Sequence, residues 1–276
     1  MTATPASVPS AAPGAPPAAA PAPGPAVPAV PDRFAGRTVV VTGAGSGIGR
    51  ATAARLHAEG AVVVATDVVA ERLDALAAEL GTERLRVVAG DAAEATTVQA
   101  VVAAAAGRLD GLANVAGIMD GFLPAGEVDD ETWDRVLRVN LTAPLRMVRG
   151  ALPLLVDGGG AIVNVASEAA LRGSAAGAAY TASKHGLVGL TKNIAFMYAA
   201  LGVRANVVAP GPVATAIGGE MRSAHAASRV GPVMQSAGLV VAQPEALAAA
   251  IVWLLSDESA NVSGAVLPSD GGWSVV

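Results

Sequence analysis

Thr38-Val39-Val40-Val41-Thr42-Gly43-Ala44-Gly45-Ser46-Gly47-Ile48-Gly49 reads as a buried strand running straight into a glycine-rich turn. A short, nearly unbroken β-branched run suits a strand covered on both faces, as in a parallel sheet. The glycines permit a tight turn, close backbone approach to a pyrophosphate, and close packing of the next helix on the strand. Open N–H groups and the macrodipole of that helix then favour an anion. Eighteen residues past Gly49, Asp67 ends the second apolar run. An acid there is placed to accept from both hydroxyls of an adenosine ribose. A 2′-phosphate would meet like charge, and no Arg or Lys stands at Ser46, Val68 or Val69, so NAD is favoured over NADP. The other role open to Asp67 is to cap the following helix.

Outward from this stretch the pattern repeats. Short apolar runs at 38–42, 61–66, 85–89, 111–115, 161–166, 203–208 and 265–267 alternate with helical segments at 47–59, 70–80, 94–106, 131–155, 177–201 and 244–256. Strand-helix alternation with right-handed crossovers predicts one α/β domain over 32–276: a three-layer, doubly wound parallel sheet (Rossmann fold) of about seven strands. Pro144 and Pro153 predict a bend and an early end in the helix at 131–155. The segment 211–243 breaks the rhythm, being long and rich in Gly, Ala and Ser, and it reads as a lid over a ligand. An ordinary surface helix pair is the alternative.

Tyr180-Thr181-Ala182-Ser183-Lys184 sets a phenol and an ammonium one helical turn apart, on one face. Tyrosine ordinarily titrates near pH ~10. A cation beside it favours the phenolate, and a proton-transfer group works best with its pKa near the working pH. Ser167 lies thirteen positions before the tyrosine, just past the fifth strand.

Composition narrows the classes. The 276 residues are 53% hydrophobic with a net charge of −5 and scattered basic residues, which argues against nucleic-acid or anionic-membrane partners. Cysteine is absent, so disulfide and thiolate chemistry are excluded and a reducing compartment is permitted; the expected location is the cytoplasm. Ten of the eighteen prolines fall between Pro5 and Pro31. Residues 1–31 therefore read as a disordered Pro/Ala-rich tail, and removing them should leave activity unchanged. No basic residue precedes Arg33, which argues against a secretory signal, and none flanks the Pro-x-x-Pro elements as an SH3-like groove would want. His57, His185 and His225 lack ligand spacing, so no metal is expected; Tyr198 reads as packing. Met119, Asp120 and Glu168 are candidates for the substrate mouth.

Together these residues resemble the short-chain dehydrogenase/reductase family over roughly 34–273, in its short branch. The glycine run is similar to that family's TGxxxGIG, which implies cofactor contacts from Gly43, Ser46, Gly47, Ile48 and Gly49. Ser167, Tyr180 and Lys184 resemble its catalytic set, and Asn140 its catalytic asparagine. Asp91 and Ala92 match the block that contacts adenine. Asn114-Val115-Ala116-Gly117 resembles its NNAG block, with Val115 replacing the second asparagine and weakening the hydrogen bonding expected beside the central strand. Pro210, Gly211, Val213 and Thr215 match the segment that grips the nicotinamide carboxamide.

The resemblance implies an NAD-dependent enzyme of the CH–OH class that interconverts a secondary alcohol and a ketone. Tyr180 would exchange the proton, Lys184 would lower its pKa and bind the nicotinamide ribose, Ser167 would hold the substrate oxygen, and Asn140 would position a water. It also implies a homotetramer built on the helices at 131–155 and 177–201. The insertion offers no clustered cations, which suggests a neutral, largely apolar alcohol or ketone, and the NAD preference favours oxidation. The rival readings are an NADPH-type ketoacyl reductase and a dinucleotide-binding sensor without turnover.

Overall fold

Thr38 to Thr42 form β1 (Thr38–Thr42), buried along its whole length inside a seven-stranded parallel sheet. The computed structural model describes residues 28–218, 220–236 and 241–275; residues 1–27 of the expected tail, 219 and 237–240 of the expected lid, and 276 lie outside the described residues. After β1 come α1 (Gly47–Ala58), β2 (Val62–Asp67), α2 (Ala70–Leu80), β3 (Leu85–Ala89), α3 (Ala95–Ala104) and β4 (Gly111–Asn114). The second half continues with α4 (Asp130–Leu137), α5 (Ala143–Gly158), β5 (Ala161–Val165), α6 (Ala178–Met197), β6 (Arg204–Pro210), α7 (Ala224–Ser236), α8 (Pro244–Leu255) and β7 (Val266–Ser269).

The sheet order is β3-β2-β1-β4-β5-β6-β7, with Val39 in register with Val63 on one side and Gly111 on the other. Side chains alternate across the sheet, so each face has its own core. Val39 and Val41 pack with Leu56 of α1, Leu76 of α2 and Ile251 of α8. Val40 and Leu112 pack with Val101 of α3, Met147 of α5 and Ile194 of α6. Leu56, Leu76 and Ile251 are fully buried, each contributing about 2 kcal/mol of apolar transfer. The predicted doubly wound fold is the one observed.

The predicted helix at 131–155 is two helices. Asp129 caps α4, accepting from Thr132 N at 2.7 Å. A π-helical turn, Arg138–Thr142, follows, and α5 then begins with Pro144 in its first turn, where a missing N–H costs nothing. The bend is therefore carried by the π turn, which is where Asn140 sits. Pro153 does not end α5, which runs on to Gly158 before Gly159 takes a φ of 70°.

The insertion after β6 is tied at its base: Val213 bridges Ala242, and each end donates a backbone hydrogen bond to the other at 2.9 Å. Among its described residues it holds a single helix, α7. At the opposite end of the sheet, the chain just before β1 is fastened to α1. The buried Glu59 carboxylate accepts from Arg33 at 2.7 and 2.8 Å, from Arg55 at 2.9 Å and from Val30 N at 3.2 Å. Pro28–Val30, inside the expected tail, are thus part of this knot.

Candidate active site

β1 and β4 are neighbours whose crossovers run in opposite directions, and the C-terminal edge of an open sheet opens into a crevice at such a point. Here its volume is about 340 Å³. Gly43, Ser46, Gly47, Ile48 and Gly49 line it from the β1–α1 turn, and Asp67 from the end of β2. Asp91 and Ala92 enter after β3, Ala116 and Gly117 after β4, and Thr215 from the insertion. The turn is as tight as its glycines allow: a Cβ on Gly49 would lie 2.0 Å from Gly43 O.

Two acids in the crevice are already engaged. Asp67 accepts from Gly45 N and Val69 N, both at 3.0 Å, so it braces the glycine turn and also serves the turn into α2. Asp91 accepts from Ala93 N at 2.7 Å and from Arg138 at 2.6 Å. Burial alone would raise its carboxyl, but these two donors hold it below the usual carboxylate range.

Several expected residues stand elsewhere. Asn114 is buried inside the sheet, where its Nδ2 donates to Asn164 Oδ1 at 2.8 Å, and Asn164 donates in turn to Thr191. Asn114 is not among the residues that line the crevice. Thr42 Oγ1 accepts from both Val115 N and Ala116 N, which supplies the bonding beside the central strand despite Val115. Pro210 ends β6 in register with Ser269, Gly211 packs on Asp270, and Val213 bridges Ala242; none of the three lines the crevice. Conversely, Thr66, Arg72, Val139, Ala216 and Ile217 line it and were not anticipated. Arg72 had a signal, since it lies in the first turn of the helix that follows Asp67.

The crevice residues fit a dinucleotide on two observations. The buried Thr66 Oγ1 and Thr215 Oγ1, both in its wall, have no hydrogen-bond partner. A Cβ on Gly47 would meet Thr215 Cγ2 at 2.9 Å, so only glycine leaves the helix mouth open.

Beside Gly117, which lines the crevice, Asn140, Ser167, Tyr180 and Lys184 come together. The Ser167 hydroxyl faces the Tyr180 phenol and favours its ionised form, and it accepts from Ala169 N at 3.1 Å. Lys184 Nζ donates to Val165 O at 2.9 Å and lies 5.5 Å from the centre of the Tyr180 ring. Asn140 accepts from Ile118 N at 2.9 Å and donates to Ile118 O and Ser183 Oγ. A Cβ on Gly117 would stand 3.3 Å from both Asn140 Oδ1 and Lys184 Nζ, so these groups share one wall.

The protein's own charges do not acidify the phenol. Burial pushes Tyr180 up to about 12, with the Ser167 hydroxyl opposing and the Asp120 charge adding. The same burial pulls the Lys184 ammonium down to about 8. A dry site penalises any charge, and Lys184 directs its proton to a carbonyl rather than to the phenol.

Two expected mouth residues are closed off. Glu168 is fully buried and ion-paired with Arg172, whose guanidinium lies 4.8 Å from the Trp273 ring centre and donates to Trp273 O at 2.7 Å. Asp120 is 1% exposed. Met119 is half-buried and packs both with the cluster that holds Tyr180 and with the one beneath α7. Among the described residues, no group of His, Asp and Glu is placed to hold a metal ion, and no helix is long and apolar enough to cross a membrane.

Comparison with known proteins agrees with this geometry. The family model described as short chain dehydrogenase matches residues 37–226. A 3beta-hydroxysteroid dehydrogenase 2 from Eggerthella lenta is 40% identical over 248 residues, covering 87% of this chain and 95% of its own. The crystal structure of a levodione reductase superposes with a TM-score of 0.79 at 33% identity, covering 88% of this chain and 99% of its own. A short chain dehydrogenase from Mycobacterium paratuberculosis, solved bound to NAD, gives 0.78 at 29% identity, covering 88% of this chain and all of its own.

Proposed function

The chain belongs to the short chain dehydrogenase family, an oxidoreductase family acting on alcohol and carbonyl groups, and we propose that it interconverts a secondary alcohol and a ketone with NAD. The observation that carries this reading is the meeting of Ser167, Tyr180, Lys184 and Asn140 beside Gly117, in the wall of the crevice that opens at the glycine turn. The bound dinucleotide supplies the hydride acceptor or donor. The Tyr180 phenol gives its proton to the carbonyl oxygen in reduction and takes the hydroxyl proton in oxidation. Ser167 donates to the same oxygen and holds it against the phenol. Lys184 keeps a positive charge below about pH 8 and orients the ribose side of the site, while Asn140 fixes the wall on which Lys184 rests. A phenol neutral at rest is a ready donor, so reduction proceeds at neutral pH and oxidation accelerates as pH rises.

The substrate is a neutral, largely apolar ketone or alcohol. Supporting this, the apolar cluster of Phe122, Ala226, Val230, Met221 and Met234 at α7 meets the cluster around Tyr180 through Met119. The insertion acts as the lid over it. The reading of NAD rests on Asp67, and the specific observation that favours a 2′-phosphorylated cofactor instead is Arg72, exposed beside Asp67 in the crevice wall. A panel of apolar ketones and secondary alcohols, followed by NADH absorbance with NAD and NADP in parallel, tests the proposal. Turnover with NAD in preference to NADP is expected; no turnover with any member under either cofactor contradicts it.

A further inference from the structure

One buried carboxylate beside the phenol has no part in this chemistry. Asp120, in the loop between β4 and α4, makes no ion pair among the described residues. Its Oδ1 accepts from Phe122 N at 3.0 Å and its Oδ2 from Tyr180 N at 2.9 Å. Tyr180 is the third residue of α6, so the carboxylate satisfies one of the open N–H groups of the helix that carries the phenol. Glycine at 177 permits the approach: a Cβ there would lie 2.5 and 2.6 Å from the two carboxylate oxygens and 2.6 Å from Leu123 N. A second tie joins the same loop and helix, from Ala178 N to Leu123 O at 2.9 Å.

The loop is bent to deliver the carboxylate. Gly121 and Phe122 take φ values of 68° and 59°, and for a phenylalanine that left-handed backbone costs about 1 kcal/mol or more. The Phe122 side chain packs with Ala226 and Val230 of α7, which holds the strained residue in place.

We propose that Asp120 is a positioning residue for the proton donor: its carboxylate fastens the first turn of α6 to the β4–α4 loop and so sets the Tyr180 hydroxyl beside Ser167. The inference rests on reading Tyr180 as the acid of the reaction. The charged groups around the phenol are Lys184 on α6, Asp120 itself, and Glu168, which follows Ser167 and is turned to Arg172. Arg222, from the insertion, lies against Gly121. Of these, Asp120 is the charge that acts on the phenol in the raising direction.

The test is the pH dependence of kcat and kcat/KM for the best secondary alcohol of the panel, with wild type, Asp120→Asn and Tyr180→Phe. Asp120→Asn should keep the circular dichroism and dinucleotide affinity of wild type and lose kcat on the order of tenfold, as the phenol loosens. Its ascending limb should move to lower pH, because the negative charge that opposes ionisation is gone. A purely structural Asp120 would change the amount of folded enzyme without moving that limb, so an unmoved limb overturns the inference. Tyr180→Phe at wild-type turnover overturns this inference and the reading beneath it; an inactive Tyr180→Phe beside an unmoved Asp120→Asn limb overturns only the role of Asp120. Should Asp120→Asn fail to fold, Asp120→Ser makes the same test, since a hydroxyl still accepts a hydrogen bond but carries no charge, and must move the limb the same way.

Discussion

Burial acts in opposite senses on two side chains one turn apart, raising Tyr180 to about 12 and lowering Lys184 to about 8. Between about pH 8 and 10.5 the unfolded chain holds a lysine proton that the folded chain has released, so stability rises with pH through that window. From about pH 10 upward the tyrosine reverses the trend, because the folded chain keeps a proton the unfolded chain loses. Urea unfolding of wild type should therefore show a gain of up to about 3 kcal/mol approaching pH 10, and Lys184→Met should abolish the rise. The juxtaposition of Tyr180 and Lys184 was legible because helix geometry alone sets it. Asp120, Glu168 and Arg172 were not, because their directions depend on the left-handed turn at Gly121-Phe122 and on the ring of Trp273, a hundred residues away. Nor did spacing reveal that a desolvated ammonium is itself held down rather than acidifying its neighbour.

At the scale of elements, the inner strands were readable because they are short apolar runs buried on both faces; the edge strand β3, exposed along much of its length, still has the bounds expected, as does β1. The break in the helix at 131–155 was only half legible: proline marked a bend, but the π turn that makes it has no proline of its own. Gly49→Ala should destabilise the chain by about 3 kcal/mol and weaken dinucleotide binding, since its Cβ would collide with Gly43 O at 2.0 Å; differential scanning fluorimetry with and without NAD reads both effects. The N-terminal knot also makes a graded prediction. Removing residues 1–27 leaves melting and activity unchanged, whereas removing 1–34 takes away Arg33 and the buried Phe34 and costs about 3 kcal/mol or more. The composition of the tail could not place that boundary, because Pro28 and Val30 are held through backbone atoms by Arg55 and Glu59.

For the whole molecule, the strand order brings the ends of β1, β2, β3 and β4 to one edge, where the glycine turn, Asp67, Asp91 and Gly117 line a common crevice. A homotetramer remains our expectation. The exposed Phe196 and Met197 on α6 offer apolar surface for it, and light scattering should return four times the 27.0 kDa chain mass. The central claim, that a phenol held against a serine hydroxyl moves the proton of the reaction, meets its most direct test in Tyr180→Phe. With the variant folded and binding dinucleotide as wild type does, single-turnover formation of NADH from a secondary alcohol should fall by about a hundredfold or more; formation at the wild-type rate would contradict it.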